Sequence, residues 1–231
     1  MNIYETRRLL DEYLLFHYGS PQEILPWAEG PHSALGFAVR TVTELADFSG
    51  PVDSALDLGC AVGRSSFELA KHAGSVLGID YSHSFVEAAA QLVLADLPYE
   101  RTDEAAASTT LLARVPQECR REGVSFEQGD AMHLRADLGS FDLVHAANLL
   151  CRLTDPALLI KRLPDLVNPG GQLLLTTPCT WLEEFTPRGN WPQGSTFAWL
   201  KEQLAPHFDL AQQKDLPFLI REHARKYQWS V

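Results

Sequence analysis

Three carboxylates in this chain fall where short apolar runs end. Asp57 precedes the small-residue turn Gly59-Cys60-Ala61-Val62-Gly63, Asp80 closes Leu77-Gly78-Ile79, and Asp130 follows Phe126-Glu127-Gln128-Gly129. A small-residue turn between a strand and a helix lets the main chain approach a nucleoside closely, and an acid ending the next strand can accept bonds from both ribose hydroxyls. Gly59 turns the backbone, Ala61 leaves room for ligand atoms and Gly63 opens the following helix. Asp80, with Tyr81 beside it, is the candidate ribose ligand. Asp130, with Ala131 and Met132, is the candidate flank of an adenine. Taken singly, each acid would pass for a helix cap or a solvated side chain; in order at three strand ends they define a nucleoside site. A dinucleotide fingerprint needs Gly-x-Gly-x-x-Gly, and its third glycine would fall on Arg64. A nicotinamide-dependent oxidoreductase is therefore disfavoured.

The elements that position these acids follow from the hydrophobic rhythm. Short apolar runs at 52–58, 75–79, 124–128, 141–146 and 172–177 alternate with helical patterns at 65–72, after Ser82, and at 156–166. Alternation of this kind predicts βαβ units and a doubly wound α/β sheet, mostly parallel and covered on both faces. Ahead of it, residues 6–17 and 34–47 have helical spacing around a turn-rich stretch with Pro21, Pro26, Gly30 and Pro31, which predicts an N-terminal helical cap over 1–50 on a nucleoside-binding domain over 51–231, one compact domain overall. The tail offers two strand candidates, 208–214 and from Tyr227 onward, expected as an antiparallel pair at the sheet edge. Residues 98–123 exceed a simple connection and are expected as a helix and loop, a lid or an oligomer contact.

The chain has 231 residues, 19 Lys and Arg against 30 Asp and Glu, and a formal net charge of -11. Acidic balance of this size disfavours nucleic acid and anionic membrane surfaces as partners. The four cysteines are dispersed, with no Cys-x-x-Cys pair, and the eight histidines show no metal-ligand spacing. No metal is expected. The N-terminus lacks the apolar core of a signal peptide, so a reducing, cytoplasmic location is expected.

The turn Gly59-x-Ala61-x-Gly63, preceded by Asp57, resembles motif I of class I S-adenosylmethionine-dependent methyltransferases, with alanine where the family usually has glycine. The resemblance implies S-adenosyl-L-methionine as cofactor and S-adenosyl-L-homocysteine as product. It assigns Asp57 to the loop around the methionine amino group, Asp80 to the ribose and Asp130 to the adenine. Further blocks narrow it: Tyr4-Glu5-Thr6, residues 12–19 with His17 and Tyr18, residues 147–153 with Asn148 and Arg152, residues 180–188 from Thr180 to Arg188, and residues 217–226 with Arg221. Together these resemble the 4-mercaptohistidine (5-thiohistidine) N-methyltransferase of ovothiol biosynthesis. That likeness implies methylation of the imidazole ring. It also implies a functional link to an iron-dependent sulfoxide synthase, here encoded separately, and a final strand that normally continues past Val231.

Residue chemistry agrees with part of this. Arg152, Arg188 and Arg221 are candidates for a substrate carboxylate, because a guanidinium fork matches it bidentately. Glu183 or Glu184 could meet an amino group, and Trp181 or Phe185 could stack on an imidazole. Asn148, His17 and Tyr18 could orient the ring or its sulfur. A ring nitrogen already presents a lone pair, so a general base is not obligatory; His145 and Glu183 are the candidates if one acts. The connection following the fifth strand is much longer than the usual ~4–6 residues, which points to a functional segment.

Overall fold

The computed structural model describes residues 3–231. Parallel strands buried on both faces need near-continuous apolar sequence, and five segments supply it: β1 (Val52–Leu58), β2 (Ala73–Asp80), β5 (Val124–Gln128), β6 (Phe141–Ala147) and β7 (Val167–Thr176). They pair in the order β5-β2-β1-β6-β7, every neighbour parallel. Successive β1 side chains serve opposite layers. Ala55 packs with Val42, Phe67 and Phe85 on one face, while Leu56 and Leu58 pack with Leu159 and Leu163 on the other.

Because β1 leads outward through β2 to β5 and the chain then returns to β6, the winding reverses between β1 and β6. That reversal opens a crevice beyond the carboxyl ends of the strands, where ligands bind in open α/β sheets. Helix α4 (Arg64–Leu69) follows β1, α5 (His83–Leu94) follows β2, α6 (Pro156–Leu166) precedes β7 and α7 (Thr196–Leu204) follows it. Ser82 caps α5 by accepting the Phe85 N–H at 3.2 Å, as its position predicts. Asp155 caps α6, which has Pro156 in its first turn, where a missing N–H costs nothing.

Across the crevice lies the N-terminal region. Helix α1 (Arg7–Tyr18) is capped by Thr6, buries Leu14 and Leu15, and carries Arg7–Asp11 and Arg8–Glu12 ion pairs at 2.8 and 2.9 Å. A short α2 (Pro21–Ile24) starts in a Ser20–Glu23 capping box, a signal present in the sequence but not read. Helix α3 (Phe37–Thr43) is shorter than the expected 34–47, because Gly36 adopts a left-handed φ of 68° and separates it from the turn at His32–Ala34. Helix α4 likewise ends at Leu69, short of the expected residue 72.

Two other expectations are corrected. Residues 98–123 hold no helix; β3 (Leu97–Glu104) and β4 (Ala107–Ala113) form an antiparallel hairpin that turns at Ala105 and packs on α1. In the tail, residues 208–214 form no strand. The antiparallel pair is β8 (Phe218–His223) with β9 (Lys226–Ser230), and it stands apart from the five-stranded sheet. The apolar run Phe218-Leu219-Ile220 explains this. Phe218 packs on Phe37 and Phe16, and Leu219 packs on Leu25 and Ala34, so β8 is buried against the N-terminal region rather than along β7. Among the described residues, no helix is long and apolar enough to cross a membrane.

Candidate active site

A cavity of about 340 Å³ occupies the crevice between the sheet and the N-terminal region. Its floor is the turn after β1, where Gly59 and Ala61 take left-handed φ values of 68° and 48°. Glycine adopts that conformation freely; Ala61 is strained there, and its N–H is held by the Asp80 carboxylate at 2.9 Å. Gly63, at φ 84°, starts α4 outside the cavity, where an added Cβ would lie 2.6 Å from the Phe126 ring.

Asp80 faces the cavity from the end of β2, its two oxygens accepting the Ala61 and Ser82 N–H groups, each at 2.9 Å. Burial lifts its carboxyl to about 6, a rise that the backbone hydrogen bonds only partly offset. Each oxygen keeps a further lone pair for a ligand. Beyond β5, Asp130 accepts the Met132 N–H at 2.8 Å and bonds His133 Nδ1 at 3.0 Å, and Asp130, Ala131 and Met132 all line the cavity. Exposed Tyr81 borders the same side.

Asp57 does not reach the cavity. Its carboxylate lies beneath the turn, accepting the Ser65 and Ser66 hydroxyls at 2.7 and 2.6 Å and bonding His145 Nδ1 at 2.7 Å. Burial alone would raise this carboxyl, but the charge and hydrogen bond of His145, with the two serines, hold it below the usual carboxylate range. The other ring nitrogen of His145 bonds Thr41 of α3 at 3.0 Å. His145 touches the cavity wall, yet both its nitrogens are committed, so it braces β1, β6 and α3 instead of moving a proton. Tyr18 is a brace too, its hydroxyl donating to the Val62 carbonyl at 2.8 Å from outside the cavity.

On the acceptor side the structure selects among the expected residues. Asn148 lines the cavity at the end of β6 with a left-handed φ of 54°, and its side-chain oxygen accepts the Thr176 hydroxyl at 3.2 Å. His17 also lines it, with Nδ1 buried and unpartnered; burial pulls its pKa down to about 3, against the opposing charge of Asp57, so the ring is neutral. Arg152 lines it from the turn after Asn148, its guanidinium 4.5 Å from the Phe185 ring centroid. Phe185 itself stands behind Arg152 and outside the cavity wall.

Five expected residues lie elsewhere. Trp181 donates its indole N–H to Thr196 at 2.9 Å and packs edge-on against Trp199, which makes it part of the α7 side of the core. Glu183 and Arg188 are exposed and pair with each other at 3.5 Å, Arg188 lying over Trp191. Glu184 is exposed and does not line the cavity. Arg221 is buried, donating to the Glu23 carbonyl at 2.9 Å and to Asp103 at 3.0 Å, and thereby ties β8 to α2 and to the β3–β4 hairpin.

The cavity's aromatic wall was missed: Tyr4, Tyr13, Phe16, Phe37, Phe85 and Phe218 all line it. The one local signal was the Tyr13, Phe16, His17 spacing on α1, which reads equally as a core stripe. Tyr4 is held at the cavity wall because Ser82 donates to its carbonyl at 2.9 Å and Glu5 accepts the His83 and Ser84 N–H groups at the start of α5.

A parallel sheet of this order, with an acid facing a crevice at the end of β2 and another beyond β5, defines a class I S-adenosylmethionine-dependent methyltransferase. Residues 32–219 match the family described as "Methyltransferase domain", and the chain belongs to that family. It is similar to the ubiquinone biosynthesis O-methyltransferase of Coxiella burnetii, 28% identical over 122 residues, covering 53% of this chain and 42% of that protein. It is also similar to the demethylmenaquinone methyltransferase of Lactococcus lactis, 27% identical over 138 residues, covering 58% of this chain and 45% of that protein. Both matches thus span less than half of the relative's length. Among solved structures, the YcgJ protein of Bacillus subtilis shares the fold with a TM-score of 0.52 at 16% identity, over 82% of this chain and 74% of that one.

The residues present fit the cofactor. A buried carboxylate with spare lone pairs faces the cavity at Asp80, the left-handed Gly59–Ala61 turn keeps side-chain bulk off the floor, and Met132 offers an apolar flank. S-adenosyl-L-methionine supplies, when bound, an activated methyl group on a sulfonium.

Proposed function

We propose that this domain methylates an imidazole ring nitrogen of 4-mercaptohistidine (5-thiohistidine), giving ovothiol. The observation that carries the assignment is the acceptor half of the cavity, an aromatic wall combined with Asn148 and the unpartnered His17 Nδ1. A planar, polar-edged ring suits those surroundings: Tyr13, Phe16, Phe37 and Phe218 offer faces and edges, and two polar side chains offer direction. The sequence blocks around Tyr4, His17, Asn148 and Arg152, which resemble the thiohistidine enzymes, all contribute to this cavity. The blocks around Trp181, Glu183 and Arg188 do not, so the acceptor's contacts fall to the first group.

The chain's task is to align the nucleophile, exclude water and hold a near-attack geometry. Tyr4, pinned by Glu5 and Ser82, forms part of the wall that keeps water out. Asn148, locked by Thr176 and its left-handed backbone, presents its amide at a fixed angle. His17 remains neutral and supplies a hydrogen-bond partner without charge. An imidazole nitrogen attacks with a lone pair it already has, and the proton on the other nitrogen leaves afterwards to solvent.

A second reading, methylation of a phenolic or quinol oxygen, is favoured by the relative named as a ubiquinone biosynthesis O-methyltransferase. It asks more of the site, because a phenol must lose its proton for the oxygen to attack. His145 has both nitrogens engaged, Asp57 is sealed beneath the turn, and burial leaves His17 weakly basic. Competition between thiohistidine, histidine and a catechol, read by mass spectrometry after incubation with S-adenosyl-L-methionine, separates the two. The ring sulfur must be installed beforehand, which calls for an iron-dependent sulfoxide synthase acting upstream. The dispersed, unpaired cysteines favour a cytoplasmic setting.

A further inference from the structure

Among the described residues lining the cavity, Arg152 is the only lysine or arginine. Its Nη1 is buried and has no hydrogen-bond partner. That combination is unusual, because a buried guanidinium N–H without an acceptor forfeits a charge-assisted bond while keeping the desolvation cost. The other two arginines of comparable promise lie outside the cavity: Arg188 pairs with Glu183, and Arg221, whose Nε is also buried without a partner, spends its two terminal nitrogens on Asp103 and two carbonyls. The acids that share the cavity with Arg152 are likewise engaged, Asp80 by two backbone N–H groups and Asp130 by the Met132 N–H and His133.

The side chain is also held in place. Phe185 supports the guanidinium at 4.5 Å from its ring centroid, while Nη1 keeps no hydrogen-bond partner. The Tyr4 hydroxyl interacts with the same group. Arg152 follows Asn148 by four residues, so the group that would orient the ring and the cavity's cation leave the same strand end.

We infer that Arg152 is the specificity-determining residue that binds the α-carboxylate of the acceptor, making the enzyme selective for an amino acid over the corresponding amine. This rests on the assignment of an amino-acid acceptor. A carboxylate would present two acceptor oxygens to the guanidinium edge and occupy the unpartnered Nη1, a geometry that an ammonium such as lysine's cannot match. The cofactor also carries an α-carboxylate, and the experiment separates the two sources.

Titration calorimetry on protein saturated with S-adenosyl-L-homocysteine compares thiohistidine with its decarboxylated amine. Wild type is expected to bind the acid roughly 10- to 100-fold more tightly, the worth of a hydrogen-bonded charge. Arg152→Met should erase that preference and leave S-adenosyl-L-homocysteine affinity unchanged; Arg152→Lys should retain part of it. Equal binding of acid and amine by the wild-type enzyme would overturn the inference without any variant and leave the thiohistidine assignment standing, since both would still bind. A preference that survives in Arg152→Met would overturn it too, as would a variant whose only loss is cofactor affinity. If wild type binds and methylates neither compound, the acceptor assignment itself fails, and the role of Arg152 with it.

Discussion

Replacing Asp80 by alanine should separate ligand binding from folding, because the two effects on stability oppose each other. The carboxylate is buried at the cavity wall and its pKa rises from 3.8 to about 6. A raised carboxyl stabilises the fold below its unfolded value and loses that contribution as pH climbs through 6, so above pH 7 the ionised group costs about 3 kcal/mol. Alanine removes that cost. It also leaves the Ala61 and Ser82 N–H groups without their acceptor, at roughly 1–3 kcal/mol each before water enters the cavity. The net change in stability should therefore be small. Binding has no such compensation: losing charge-assisted bonds to the ribose hydroxyls should weaken cofactor affinity by roughly 1.5–3 kcal/mol, or about 10- to 150-fold in Kd. Calorimetry with S-adenosyl-L-homocysteine at pH 7.5, alongside a thermal melt, reads both. An unchanged Kd would remove Asp80 from the ribose, and a collapse of Tm would make it a structural brace.

The same carboxyl sets a pH dependence: cofactor Kd should be flat above pH 7 and rise about tenfold per pH unit below 6 as Asp80 protonates, and a flat profile from pH 5 to 8 would contradict this. His145→Phe should destabilise the fold by about 3–5 kcal/mol, since it strands the buried Asp57 carboxylate; a melt within a degree or two of wild type would show that the dyad does not brace the sheet. Trp181→Ala should lower Tm through lost packing on Trp199 while kcat of the folded enzyme holds, and a fall in kcat without a fall in Tm would return Trp181 to the acceptor site. Glu183→Gln, at an exposed ion pair, should change neither quantity.

What the sequence made legible was local. Asp57, Asp80 and Asp130 sit at strand ends, and the order of apolar runs alone placed them on one edge of a parallel sheet. The turn at Gly59 and the cap at Ser82 are short-range chemistry and were readable for the same reason. The acceptor wall was not. Tyr4, Tyr13, Phe37 and Phe218 come from four segments spread over more than two hundred residues, and only packing brings them together. Trp181 misled because an aromatic in a long connection resembles a binding residue until its N–H is found on Thr196. Arg221 misled in the same way, its partners Glu23 and Asp103 lying far away in the chain. The β3–β4 hairpin escaped notice because its strands are polar and alternate weakly, half-covered by α1 rather than buried in the sheet.

The central claim is tested most directly by incubating the purified protein with S-adenosyl-L-methionine and an equimolar mixture of thiohistidine, histidine and a catechol, followed by mass spectrometry of all three. The account predicts one added methyl on thiohistidine, localised to a ring nitrogen by fragmentation, with S-adenosyl-L-homocysteine formed in equal amount. A methylated catechol beside unmodified thiohistidine would contradict it.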